Sequence, residues 1–158
     1  MDEAARKNAL RMIPYGLFVV TAQRGDEIAA GTINWMTQAS FQPPLVALGL
    51  KADSSILAQV KDRGAFAVNV LATGQKDMAF AFFKPTQVEP GRLNGYAYEP
   101  GPAGEPLLTD AAAWFTCRMT DLVDRGDHHV VVAEVTEAGV RRETAALTLS
   151  EVGVFYGG

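Results

Sequence analysis

The run from Gly31 to Leu45 begins as a strand and then abandons the pattern. Thr32, Asn34, Thr37, Gln38 and Ser40 crowd hydrogen-bonding side chains into nine residues, between apolar segments that read as core strands. Pro43 and Pro44 bar any helix and force an extended re-entry into Leu45–Leu50. A chain built this way leaves one strand, shows a polar run at its end and returns as another strand. With Trp35, Met36 and Phe41 among them, those short polar side chains suit a flat heterocycle that needs both stacking and edge hydrogen bonds. A polar loop closed by two prolines is the alternative.

The rest of the chain supplies strands and short helices. Glu3 to Met12 has helical spacing and stops at Pro14. Tyr15–Ala22 is rich in β-branched and aromatic residues, and Arg24-Gly25-Asp26 turns it back into Glu27–Trp35. Pro44–Leu50 is a near-continuous apolar run, as expected of a strand covered on both faces. Asp53-Ser54-Ser55 opens a helix over Ile56–Arg63, with Ile56, Leu57 and Val60 on one stripe and Gly64 closing it. Ala65–Leu71 reads as a strand and Gln75–Phe83 as a second helix. Lys84–Pro106 is Pro/Gly-rich, carries Tyr96 and Tyr98, and shows no strand pattern; a loop of this length is expected to cover a site or a partner. Ala113–Val123, His128–Glu137 and Thr148–Tyr156 close the chain as strands, with a turn at Asp124–Asp127. The expected fold is mainly β with α: an antiparallel β-barrel with short helices, formed by one domain over residues 1–158.

Several function classes fall away. The net charge of −4 argues against a nucleic-acid partner. Ten Lys/Arg stand against eight Asp/Glu in residues 1–92, and four against ten in 93–158, so an anion site is expected in the first part. Cys117 is the only cysteine, which excludes an internal disulfide and, within a strand pattern, indicates an inert core thiol. An acidic N-terminus and the absence of a long apolar run exclude a signal peptide and a membrane helix, and a cytoplasmic protein is expected. His128 and His129 are adjacent, so on a strand they point to opposite faces and cannot share a metal; no metal site is expected. Phosphate-loop, dinucleotide-fold and nucleophile-elbow motifs are absent.

Trp35-Met36-Thr37-Gln38-Ala39-Ser40-Phe41 with its two prolines, Lys51–Ile56, Gly64–Leu71 and Gly126-Asp127-His128 occur in an order that resembles the flavin reductase-like family. The similarity runs over nearly the whole chain. Its members bind FMN on a split β-barrel, and the Thr-Gln-Ala-Ser-Phe variant looks most like flavoredoxin-type proteins and the reductase modules fused to flavodiiron proteins. The resemblance implies ribityl and ring-edge contacts from Thr32, Asn34, Thr37 and Gln38, a ring slot lined by Trp35 and Met36, and further contacts from Phe83 and Lys84. Lys51, Ser54 and Ser55 combine a lysine at a strand end with two hydroxyls at a helix start, a plausible phosphate clamp. Ser54 is also a natural N-cap. His128 is the candidate catalytic residue, because the family's similar histidine lies beside the flavin and the nicotinamide.

Three functions follow from these residues. One is an NAD(P)H-dependent flavin reductase, a homodimer whose FMN, with FAD as an alternative, accepts hydride at N5 and passes electrons to free flavin or another acceptor. The second is an FMN electron carrier reduced by a redox protein. The third is a split-barrel protein that has lost redox function and holds another ligand.

Overall fold

The computed structural model of the chain covers residues 1–158. Its elements in order are α1 (Glu3–Arg11), β1 (Phe18–Arg24), β2 (Glu27–Ile33), β3 (Met36–Ser40), β4 (Leu45–Lys51), α2 (Ser55–Arg63), β5 (Ala65–Val70) and α3 (Lys76–Ala81), then β6 (Val88–Glu89), β7 (Arg92–Leu93), β8 (Tyr96–Pro100), β9 (Pro106–Leu108), β10 (Ala113–Val123), β11 (His128–Val140) and α4 (Leu149–Val152). Seven strands form one antiparallel sheet in the order β2-β1-β5-β10-β11-β4-β3. The end strands β2 and β3 are consecutive in the chain yet do not pair, so the barrel stays split beside Asn34 and Trp35.

Alternation along the strands divides the core in two. Val20, Ala22, Val46, Leu48, Phe66, Val68 and Val131 point inward with Ile56, Leu57 and Val60 of α2. Each of these three helix residues contributes about 1.5–3 kcal/mol on burial. Leu17, Val19, Leu71, Met78, Phe82, Leu93 and Leu108 form the second cluster on the opposite face. β1 and β5 are therefore the strands buried on both faces. β4, expected to be covered on both sides, instead alternates: Val46, Leu48 and Leu50 are buried while Leu45, Ala47 and Gly49 are half-buried. Ser54 caps α2 through Leu57 N–H at 3.2 Å, and the helix ends at Gly64, as its sequence requires.

Two expectations are corrected. Residues 84–106 are not structureless; they contain β6, β7 and β8, which with β9 make a second, four-stranded sheet. Its short strands take their register from turns rather than from hydrophobic alternation. The Asn94 side chain holds one such turn, accepting from Gln87 N–H at 2.6 Å and donating to the Ala81 carbonyl at 2.8 Å. The expected strand over Thr148–Tyr156 is also wrong. Thr148 accepts from Glu151 N–H at 3.3 Å and starts α4, and Gly153, in left-handed geometry at φ 71°, ends it. Glu151 then anchors this turn to Thr73 Oγ1 at 2.9 Å and Gly74 N–H at 2.7 Å.

Cys117 lies in the inward cluster and is 1% exposed. Burial, and after it the charge of Glu105, pushes its thiol up to about 12, so it is an inert core residue. No helix is long and apolar enough to cross a membrane.

Candidate functional site

The split in the barrel opens a cavity of about 350 Å³. Gly31, Thr32 and Ile33 of β2 form one wall, Gly49, Leu50 and Lys51 of β4 the other, and Ile56 of α2 with its N-cap Ser54 the floor. Phe82 and Phe83 follow α3 into it, and Asn34, Trp35, His128 and Tyr156 complete the lining. Its size is at the lower end of the roughly 300–1,000 Å³ typical of ligand clefts. A cleft of about 450 Å³ between α1 and the C-terminal segment adjoins it through Leu149, Val154 and Tyr156.

Local packing sets each group. Trp35 leaves the ladder where β2 ends and lies against β4 over Gly49, whose N–H donates to the Trp35 carbonyl at 2.9 Å. A Cβ at Gly49 would stand 3.2 Å from the Trp35 ring, so glycine is what admits the indole here. Thr32 donates its hydroxyl to the Ala79 carbonyl at 2.7 Å, and its N–H bonds the Phe82 carbonyl at 3.1 Å. These two bonds tie the end of α3 to β2. Ser54 donates to the Lys51 carbonyl at 2.7 Å, and Lys51 pairs with Asp53 at 3.1 Å in a solvent-exposed contact.

At the mouth, His128 opens β11 and pairs with Lys51 across the ladder. Its ring meets the Trp35 indole edge-on with centroids 4.6 Å apart. Nδ1 is 3.0 Å from the Asp127 carboxylate and Nε2 is 2.9 Å from the Tyr156 hydroxyl. The hydrogen bond from His128, then its charge, holds the Asp127 carboxyl below the usual range. His129, on the other face of the strand, is half-buried with Nδ1 unpartnered.

Of the candidate residues, Thr32, Asn34, Trp35, Lys51, Ser54, Phe83 and His128 converge on this cavity. Met36, Thr37, Gln38, Ser55 and Lys84 do not line it. Met36 packs into the inward core. Thr37 and Gln38 sit exposed on the edge strand β3, past the split, and bond only their own backbone neighbourhood. Ser55 and Lys84 face solvent. Tyr156 was missed: it belongs to no motif, and only the α4 turn brings it to His128. A planar heterocycle with carbonyl acceptors fits this cavity on one specific observation. The Trp35 indole N–H is buried and has no partner in the protein, a donor that such a ligand would satisfy.

The chain belongs to the flavin reductase-like domain family, whose model matches residues 10–156. Among relatives, it is 35% identical over 130 residues to the NADPH-flavin oxidoreductase of Streptomyces viridifaciens, covering 80% of this chain and 67% of that protein. It is 32% identical over 156 residues to diflavin flavoprotein A 1 of a Synechocystis species, covering 95% of this chain and 27% of that protein. The flavin reductase component of a bacterial two-component tryptophan halogenase superposes with a TM-score of 0.80 at 28% identity, over 99% of this chain and 98% of that one. Several curated relatives are much longer than this chain, which spans 43% of one from Rhizobium meliloti and about a quarter of the diflavin proteins. The barrel expected from the sequence is thus the fold that flavin reductases share.

Proposed function

We propose that this protein is an NAD(P)H-dependent flavin reductase, with residues 1–158 as one FMN-binding domain. The observation that carries the reading is the cavity at the barrel split, where an unpartnered indole N–H, an imidazole and polar groups from three further elements converge. The name of the Streptomyces relative supports a nicotinamide donor and a flavin. A bound flavin would supply the redox chemistry as the acceptor of hydride from a nicotinamide.

The chain's own part is binding and orientation. Thr32 and Asn34 offer polar contacts to a ribityl chain and a ring edge, while Trp35 and Phe83 flank a ring. Lys51, Ser54 and the first N–H groups of α2, including that of Ser55, would hold a phosphate. Asp53 does not prevent this. Its ion pair with Lys51 is exposed and worth little, so Lys51 can turn to a phosphate dianion at small cost. FMN is preferred because this clamp takes a terminal phosphate. His128, in the cavity lining against Trp35, is the residue assigned to the nicotinamide in this reading.

The deciding experiment is anaerobic titration of the FMN-loaded protein with NADH and NADPH, followed by flavin absorbance. Bleaching within seconds is expected with at least one nucleotide. A flavin reduced by dithionite but by neither nucleotide would sink the reductase reading and leave that of an electron carrier.

A symmetric dimer in the cytoplasm is the proposed working form. The cavity is open on one side, and Phe41 and Val130 leave apolar surface 87% and 41% exposed. A second copy would close the one and cover the other. Light scattering is expected to give about twice the chain mass; a value near 16.9 kDa with flavin tightly held would defeat the dimer.

A further inference from the structure

Tyr156 lies outside every motif, yet two polar groups of the site, His128 and Asn34, meet on it. Its hydroxyl is 2.9 Å from His128 Nε2, and its carbonyl accepts from Asn34 Nδ2 at 3.1 Å. Its ring centroid is 5.4 Å from that of Trp35. The segment holding it is tied at both ends. α4 is anchored by Glu151, and the Arg11 guanidinium lies over the Phe155 ring at 5.7 Å while its Nε donates to the Gly157 carbonyl at 3.2 Å.

One tautomer of His128 satisfies both of its ring contacts. Asp127 is an acceptor, so the tautomer of neutral His128 that suits this contact carries its proton on Nδ1 and donates to that carboxylate. Nε2 then presents a lone pair and accepts the phenolic O–H of Tyr156. Neutral His128 therefore has no N–H to offer a ligand. The phenol oxygen, its own proton committed to Nε2, keeps lone pairs at the wall of the cavity.

We propose that Tyr156 is a specificity-determining residue: its phenol oxygen accepts the amide N–H of the nicotinamide carboxamide. His128 is then a positioning residue that acts through it, with its tautomer set by Asp127. This inference rests on the nicotinamide-binding reading above.

The test uses the FMN-loaded full chain and two dinucleotides that cannot reduce flavin. They are NAD(P)+ and its 3-acetylpyridine analogue, in which a methyl ketone replaces the amide. Dissociation constants come from flavin difference absorbance. In the wild-type protein the amide should bind more tightly than the ketone, and Tyr156→Phe should weaken the amide about 3- to 10-fold while leaving the ketone within about twofold. His128→Asn should lose the same discrimination, and the double variant no more than either alone. A Tyr156→Phe protein that still prefers the amide by the wild-type ratio would overturn the role of Tyr156 alone. So would one that binds both dinucleotides more tightly, since the phenol would then be a plug. If neither dinucleotide binds the flavin-loaded wild-type protein, the nicotinamide reading itself fails.

Discussion

His128→Ala is expected to slow flavin reduction by NAD(P)H about 10- to 1000-fold, a loss of up to about 4 kcal/mol of transition-state stabilisation. FMN affinity should stay within about a factor of ten, roughly 1.4 kcal/mol. The separation follows from where the imidazole stands. It touches the indole and the Tyr156 hydroxyl at the cavity mouth, while the Thr32 and Ser54 hydroxyls bond the Ala79 and Lys51 carbonyls instead. Without it the phenol loses its partner, and a misplacement of about 1 Å in a hydride donor can cost about a hundredfold in rate. His129→Ala is the control, because its ring lies on the other face of β11, and it should change neither quantity. Stopped-flow bleaching of the three proteins decides the matter, and equal rates in wild type and His128→Ala would remove His128 from the mechanism.

Asn69→Ala is expected to lower stability by about 3 kcal/mol, seen as a fall in Tm of about 6–12 °C. Asn69 is fully buried near the end of β5. Its Nδ2 donates to the Val19 carbonyl at 3.1 Å and to Thr21 Oγ1 at 3.3 Å, and its Oδ1 accepts from Leu108 N–H at 2.8 Å. Thr21 in turn donates to the Pro106 carbonyl. One side chain thus joins the seven-stranded sheet to β9 of the small one. Alanine would strand buried donors and acceptors on both sides where no water reaches them. Thr120→Ala removes an exposed bond to the Val132 carbonyl and should change stability by less than about 0.5 kcal/mol. Thermal melts of both variants test the difference; a Tm unchanged in Asn69→Ala would show that the network is not what holds the two sheets together.

Elements governed by their own residues were legible in the sequence. β10 covers Ala113–Val123 as expected, and α2 begins after Ser54 and ends at Gly64, because a capping hydroxyl and a terminal glycine act within a few residues. His128 opens β11 because the chain bends at Gly126, whose φ of 88° favours glycine. The split barrel was legible through family resemblance more than through periodicity. Alternation alone does not say which strands pair, nor that β1 and β5, rather than β4, are buried on both faces.

What remained was decided by contacts between distant parts of the chain. The strands of residues 84–106 are two to five residues long and exist through pairing with one another, so no local period announces them. Thr148–Tyr156 has the composition of a strand, yet Thr148 finds a capping geometry and Glu151 finds Thr73 and Gly74, more than 70 residues away. The same logic sorts the candidate site. Thr32 and Asn34 reach the cavity while Thr37 and Gln38 do not, because the chain crosses at the split from β2 to β3, an edge strand at the opposite end of the sheet. Local sequence thus determined which residues could serve a flavin, since their chemistry is carried residue by residue. Only the tertiary structure decided which of them meet, and that Tyr156 stands among them, since its partners His128 and Asn34 lie 28 and 122 residues away along the chain.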